Sequence, residues 1–171
     1  MTQEYLTNSF TQTKKLGEKL AKEILNFPLK KKAVALALIG DLGGGKTTFL
    51  QGFARGLGVK GKILSPTFVI MKKFQVSSSK FQLFYHIDCY RIQKPKEILT
   101  LGFKDIISNP KNIVAIEWAD RARKILAKNT IWIKFRFLNR NKREIIIKAG
   151  YKLPFLAKKL NRGFQRGKMK Q

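Results

Sequence analysis

The feature that most constrains this chain is the run Gly40-Asp41-Leu42-Gly43-Gly44-Gly45-Lys46-Thr47-Thr48. Its first eight residues satisfy Gly-x4-Gly-Lys-Thr, the pattern of a phosphate-binding loop. Glycines let successive backbone N–H groups turn inward and cradle phosphate oxygens. A helix beginning at Lys46 adds the favourable end of its dipole. In such a loop the lysine, here Lys46, meets the β- and γ-phosphates, and the next hydroxyl, Thr47, serves Mg²⁺. The pattern works only between a buried strand and an amphipathic helix, and both flanks are present. Ala33 to Ile39 is an unbroken apolar run, too short for a typical helix. It reads as a strand buried on both faces, as in a parallel sheet. From Lys46 to Gly56 the pattern is helical, with Phe49, Leu50, Phe53 and Leu57 on one side and Gly58 as the stop.

The remaining segments extend this nucleus into an α/β fold. Ser9-Phe10-Thr11-Gln12 is a capping box, and Leu16, Leu20, Ile24 and Phe27 follow at helical spacing until Pro28. Val69 to Phe74 and Phe81 to Ile87 read as strands, with Ser77 to Ser79 turning one into the other. A short helix is expected over Pro95 to Leu101, a strand over Ile113 to Ile116 and a helix over Ala119 to Leu126. Ile131 to Phe137 alternates, with Ile131, Ile133, Phe135 and Phe137 on one face and Trp132, Lys134 and Arg136 on the other. Asn139-Arg140-Asn141 turns it into a strand over Arg143 to Lys148. The expected fold class is a P-loop NTPase: a mainly parallel central sheet flanked by helices, with antiparallel hairpins added. One domain is expected over 1–153, followed by a basic tail over 154–171.

Composition narrows the function. Hydrophobic residues make up 44% of the 171, enough for a packed core. No apolar run approaches the ~20 residues that span a bilayer, so no membrane role is expected. The N-terminal residues lack the apolar stretch of a signal peptide, and the single cysteine, Cys89, cannot pair internally. Both favour a reducing, cytoplasmic setting. Thirty-six Lys and Arg against ten acids give a formal charge of +26. Such a surface attracts polyanions, although a Lys-rich proteome would decorate any surface in the same way.

A metal beside a phosphate loop needs an acid at the end of a neighbouring buried strand. Asp88 ends the run Leu83 to Ile87, and Glu117 ends Ile113 to Ile116. A carboxylate at the tip of an apolar run is costly unless a cation or donors satisfy it; the competing role is to cap a following helix. Asp88 reads as the Mg²⁺-side acid. Glu117 either binds the metal, directly or through water, or orients the attacking water. His86, the only histidine, is no metal site alone and reads as a packed or hydrogen-bonded strand residue. Arg91 is placed to meet phosphate, a partner or an ordinary ion pair. Cys89 has no activating partner in view and reads as a small core residue. Trp118 either fills the core or shapes the site beside Glu117.

Taken together, the loop, Gly56-Leu57-Gly58, Ser65-Pro66-Thr67-Phe68, His86-Ile87-Asp88-Cys89-Tyr90-Arg91 and Ile116-Glu117-Trp118 resemble the bacterial TsaE (YjeE) family in order and spacing. The likeness runs from about Thr13 to about Lys148. It implies an ATPase, weak alone, that acts with a TsaD–TsaB pair in forming threonylcarbamoyladenosine (t6A) beside the anticodon of tRNA. It implies ATP and Mg²⁺ as ligands, Lys46 and Thr47 as the loop pair, and Asp88 and Glu117 as the two acids at the metal. It implies that Thr67 belongs to a switch-like loop near the γ-phosphate and that Thr13, in Thr-Lys-Lys-Leu-Gly-Glu-Lys-Leu-Ala, lies in a segment near the nucleotide base. Trp118 matches the family's tryptophan after the acid. Gly44 stands where the family usually has Ala, Cys89 where Leu is common, and Ala119 replaces a frequent Pro or Ser.

Two other functions share parts of this pattern. A small-molecule kinase would need an acceptor-binding insert and an Arg-bearing lid, whereas the last third reads as helix, strand, turn, strand. A basic nucleic-acid module with a vestigial loop is at odds with an intact Lys46-Thr47 and two strand-end acids. The tail from Lys152 to Lys170 carries seven basic residues and no acid. It reads as a tRNA contact, as a short amphipathic helix through Leu153, Leu156 and Leu160, or as a solvated run. Phosphate contacts release counterions and steepen salt dependence. If the tail meets tRNA, truncation at Gly150 will flatten the salt slope of tRNA binding and leave nucleotide affinity unchanged. A salt series on both chains, with and without the TsaD–TsaB pair, decides this, and equal slopes remove the tail from RNA binding.

Overall fold

β2 (Val34–Gly40) lies at the middle of a seven-stranded sheet in the computed structural model, which describes residues 1–28, 31–66 and 69–150. Thr67 and the basic tail fall outside the described residues. The strand is flanked in the chain by β1 (Thr2–Thr7) and α1 (Phe10–Asn26) before it and by α2 (Lys46–Gly56) after it. There follow β3 (Met71–Gln75), β4 (Leu83–Asp88), α3 (Lys96–Leu99), α4 (Phe103–Ser108) and β5 (Asn112–Glu117). A 3₁₀ segment (Ala119–Ile125), β6 (Ile131–Phe137) and β7 (Arg143–Lys148) complete it.

The spatial order is β1-β7-β6-β2-β5-β4-β3. β6, β2, β5 and β4 run parallel, and antiparallel strands close both sides: β3 on β4, β7 on β6 and β1 on β7. The expected fold class is the observed one. β2 and β5, at the centre, are apolar along nearly their whole length, because they are covered on both faces. On one face α1 and α2 bury Leu16, Leu20, Ile24, Phe49, Leu50 and Phe53 against Leu36, Leu38, Ile113 and Ile133. On the other, Ile98, Phe103, Ala119 and Ala122 pack on Ala37, Ile87, Val114 and Ile116. No helix among the described residues is long and apolar enough to cross a membrane.

Four local details differ from the sequence reading, the first being α4, a helix over Phe103–Ser108 that the sequence reading lacks. β1 is an additional strand, whose buried members, Tyr5 and Thr7, are too few and too polar to announce it. The segment after Glu117 is 3₁₀ rather than α-helical. Its buried residues, Ala119 and Ala122, are three apart, the period of that helix. Phe137 is half exposed because β2 ends at the Gly40–Phe135 pair, leaving Phe137 without a neighbour on that side. The capping box forms with one change. Ser9 Oγ accepts from the Gln12 N–H at 3.1 Å, while Gln12 Oε1 accepts from Asn8 N–H at 2.7 Å, one residue before the cap.

The two helices on the loop's side cross at glycines. A Cβ on Gly52 would lie 1.9 Å from the Lys14 carbonyl oxygen, and one on Gly17 would lie 2.2 Å from that of Phe49. This backbone-to-backbone contact anchors α2, and with it the helix end behind the phosphate loop. Helix propensity alone would make Gly52→Ala stabilising by about 1 kcal/mol. The clash reverses the sign, and a loss of about 1–3 kcal/mol is expected, as for an overpacked core. A urea midpoint that holds or rises would show that the helices have room to separate. At the end of β4, Cys89 is fully buried, and burial, with the Asp88 charge second, pushes its thiol up to about 12. At pH 8 a disulfide reagent should leave the folded protein unlabelled and modify one thiol per chain after denaturation. Rapid labelling of the folded protein would contradict this burial.

Candidate functional site

β2 delivers Gly40 to the carboxyl edge of the sheet, where a tight turn must lead straight into α2. A Cβ on Gly40, whose φ is +133°, would stand 2.2 Å from the Phe135 carbonyl oxygen, so only glycine fits. Gly45 is the N-cap of α2 with φ +101°, and no side chain caps the helix. The first N–H groups of α2 are therefore left for an anion.

Lys46 opens the helix and is only 5% exposed. Its Nζ donates to the carbonyl oxygens of Gly40 (2.7 Å) and Asp41 (2.8 Å) and sits 4.0 Å from the centre of a Trp118 ring. Burial lowers its pKa, and the charges of Glu117, Asp88, Asp41 and Asp120 act in the opposite direction. Trp118 reaches over the lysine because its own backbone is left-handed, φ +55°, and Tyr90 packs against it with ring centres 5.1 Å apart. A non-glycine residue in that region is strained and is held there by its surroundings.

The parallel register of β4 and β5 sets Asp88 directly beside Glu117. Both are nearly fully buried. Thr47 Oγ1 lies 3.0 Å from each Glu117 oxygen, and His86 Nε2 lies 2.8 Å from Oε1. Asp88 accepts from the Ser65 hydroxyl and, at 2.8 Å, from the Tyr90 N–H. Neighbouring carboxylates repel, and a cation beside them relieves the cost. Thr47, Glu117 and Asp88 offer hard oxygen donors of the kind Mg²⁺ prefers. Among the described residues no group of three or more His, Cys, Asp or Glu could hold a metal. Mg²⁺ usually takes one or two carboxylates and completes its shell with phosphate oxygens and water.

These groups line a cavity of about 570 Å³, together with Phe10, Leu42 to Thr48, Ser65, Tyr90 and Arg143. The volume is that of a small-molecule site. The structure thus brings Gly43, Gly44, Gly45, Lys46, Thr47, Thr48, Asp88, Glu117 and Trp118 together, with Gly40 and Asp41 holding the lysine. Thr13 is fully buried. Its hydroxyl is shared with Thr7 (2.9 Å) and donates to the Ser9 carbonyl (3.2 Å), and Phe10, one turn earlier, is the α1 residue that faces the cavity. Ser65, Tyr90 and Arg143 are lining residues to which the sequence reading assigned no role at the site. Arg143 is 3% exposed, lies against Phe10 (4.5 Å) and donates from Nη1 to the Arg140 carbonyl. Its signal was available: it occupies the same strand face as Ile145 and Ile147, where an arginine needs a reason to be.

The chain is similar to known proteins in both sequence and fold. A family model described as threonylcarbamoyl adenosine biosynthesis protein TsaE matches residues 7–145. The chain is 31% identical over 134 residues to the tRNA threonylcarbamoyladenosine biosynthesis protein TsaE of Haemophilus influenzae, covering 78% of this chain and 81% of that one. It is 35% identical over 128 residues to the protein of the same name from Bacillus subtilis, covering 74% and 77%. The crystal structure of Bacillus subtilis YdiB superposes with a TM-score of 0.70 at 27% identity, covering 92% of each chain. The family match begins at the last residue of β1 and ends inside β7, so it spans the phosphate loop and both acids, and the chain belongs to the TsaE family.

Proposed function

We propose that this protein binds ATP with Mg²⁺ in the 570 Å³ cavity and hydrolyses it as the ATPase component of t6A formation on tRNA, working with TsaD- and TsaB-like proteins in the cytoplasm. One observation carries the reading. A buried ammonium and a hydroxyl at the start of one helix meet two strand-end carboxylates in the lining of a cavity of nucleotide size. The names of the relatives supply the pathway.

Each group then has a role. Lys46 neutralises phosphate charge, and the uncapped N-terminus of α2 donates backbone N–H groups from Gly45 onward. Two of the three donors of the Lys46 ammonium are occupied by Gly40 and Asp41, which aim it along the loop. Thr47, Glu117 and Asp88 would hold Mg²⁺, which supplies charge neutralisation to the phosphates when bound. Glu117 serves the metal or orients the attacking water. Ser65 and the Tyr90 N–H hold Asp88 in place. Thr67, two residues after Ser65, is assigned to the γ-phosphate end, and the segment containing Thr13 to the base end. The domain comprises 1–153, and tRNA is met within the assembled complex, with the basic tail as an additional contact.

Two substitutions separate binding from turnover. Lys46→Ala is expected to weaken ATP binding at least about 100-fold, equivalent to about 2.8 kcal/mol. Glu117→Ala is expected to bind ATP within a few-fold of the parent and to lose hydrolysis, since a metal or water-orienting role lowers turnover more than affinity. Titration with a fluorescent ATP analogue and a phosphate-release assay measure the two quantities. Parent-like affinity in Lys46→Ala would remove the nucleotide assignment, and parent-like turnover in Glu117→Ala would remove that residue from the reaction.

A further inference from the structure

His86 is fully buried in β4, and its directly opposite neighbour on β5 is Ala115. A small side chain there leaves room for the imidazole to lean diagonally toward Glu117, two residues along β5, a reach that long side chains make across a sheet. The contact is made: Nε2 to Oε1, 2.8 Å, with both residues shielded from water. A carboxylate only accepts, so the imidazole hydrogen of this bond sits on Nε2. The other nitrogen, Nδ1, is buried without a hydrogen-bond partner among the described residues. A residue that merely filled this space would do better as an apolar side chain, since an unmet buried nitrogen is destabilising.

We propose that His86 is a positioning residue for Glu117, an inference that rests on the nucleotide-hydrolysing reading above. A glutamate carboxylate rotates freely about its last bond, and Lys46, an ammonium close enough to feel its charge, is a competing partner. The His86 N–H holds Oε1 so that the carboxylate faces the Thr47 hydroxyl and leaves Lys46 to the loop carbonyls. His86 is not a proton relay. It has no exposure to solvent, and Nδ1 leads to no acceptor among the described residues.

The test compares His86→Leu, His86→Gln and His86→Asn in the full chain. Gln presents an N–H near the place of Nε2, Asn is too short to reach Glu117, and Leu has no donor. Three quantities are measured: metal-free ADP affinity, Mn²⁺ affinity in the presence of a non-hydrolysable ATP analogue by electron paramagnetic resonance, and kcat. Leu and Asn are expected to weaken Mn²⁺ binding and lower kcat by about 10–100-fold, the usual effect of losing a partner behind a metal ligand. ADP affinity should stay within about two-fold, and Gln should recover most of both losses. If His86→Leu does not fold, the Gln and Asn pair carries the comparison. Equal Mn²⁺ affinity and kcat in Gln and Asn would overturn the positioning role. A parent chain that binds neither nucleotide nor the Mn²⁺–nucleotide pair would overturn the nucleotide reading itself, and this inference with it.

Discussion

A buried ammonium is the constraint around which this molecule is arranged. Lys46 is almost inaccessible to water, and a lysine so placed needs partners to remain charged. The fold supplies them from three separate stretches of chain: carbonyls from the end of β2, a carboxylate from the tip of β4, and, from the tip of β5, a carboxylate together with the adjoining Trp118 ring. These stretches meet only because β2, β5 and β4 are adjacent and parallel, so that their carboxyl ends share one edge. Sheet order is thus also an electrostatic arrangement, in which one cation is balanced by acids from two neighbouring strands.

The same edge carries the strained backbone. Gly40 and Gly45 take left-handed or related angles without cost, whereas Trp118 takes them against its preference. The ring thereby lies over the lysine and against Tyr90, and the residue forms one wall of the cavity. Stability for this arrangement comes from below. The glycine crossing holds α2 tight against α1, and Phe49 and Phe53 reach Phe135 and Phe84 on the sheet. Loop, helix end and strand tips are held in register by apolar packing beneath the polar edge.

The hierarchy of polar contacts around Glu117 shows how such an edge is controlled. Thr47 approaches from the helix and His86 from the neighbouring strand, and the carboxylate sits between them. Asp88, opposite Glu117 in the ladder, has its own donors from Ser65 and Tyr90. Each acid therefore has independent support, and their mutual repulsion is met by separate hydrogen bonds rather than by a bond between them.

The sequence by itself determined whatever is local or periodic. The Gly-x4-Gly-Lys-Thr run, the apolar stretch before it and the amphipathic helix after it define the loop, since each depends on a few consecutive residues. Clean alternation defines β6, and the strand-end positions of Asp88 and Glu117 identify the acids. β1 was illegible because Tyr5 and Thr7 are too short a signal, and the 3₁₀ turn because Ala119 and Ala122 also suit an α-helix. Tertiary structure decided what depends on sheet order and register: that Asp88 and Glu117 lie side by side, that Ala115 opens a path from His86 to Glu117, and that Arg143, more than ninety residues after the loop, returns to line its cavity. No run of neighbouring residues encodes these pairings, because strand order and register bring together side chains far apart in the chain.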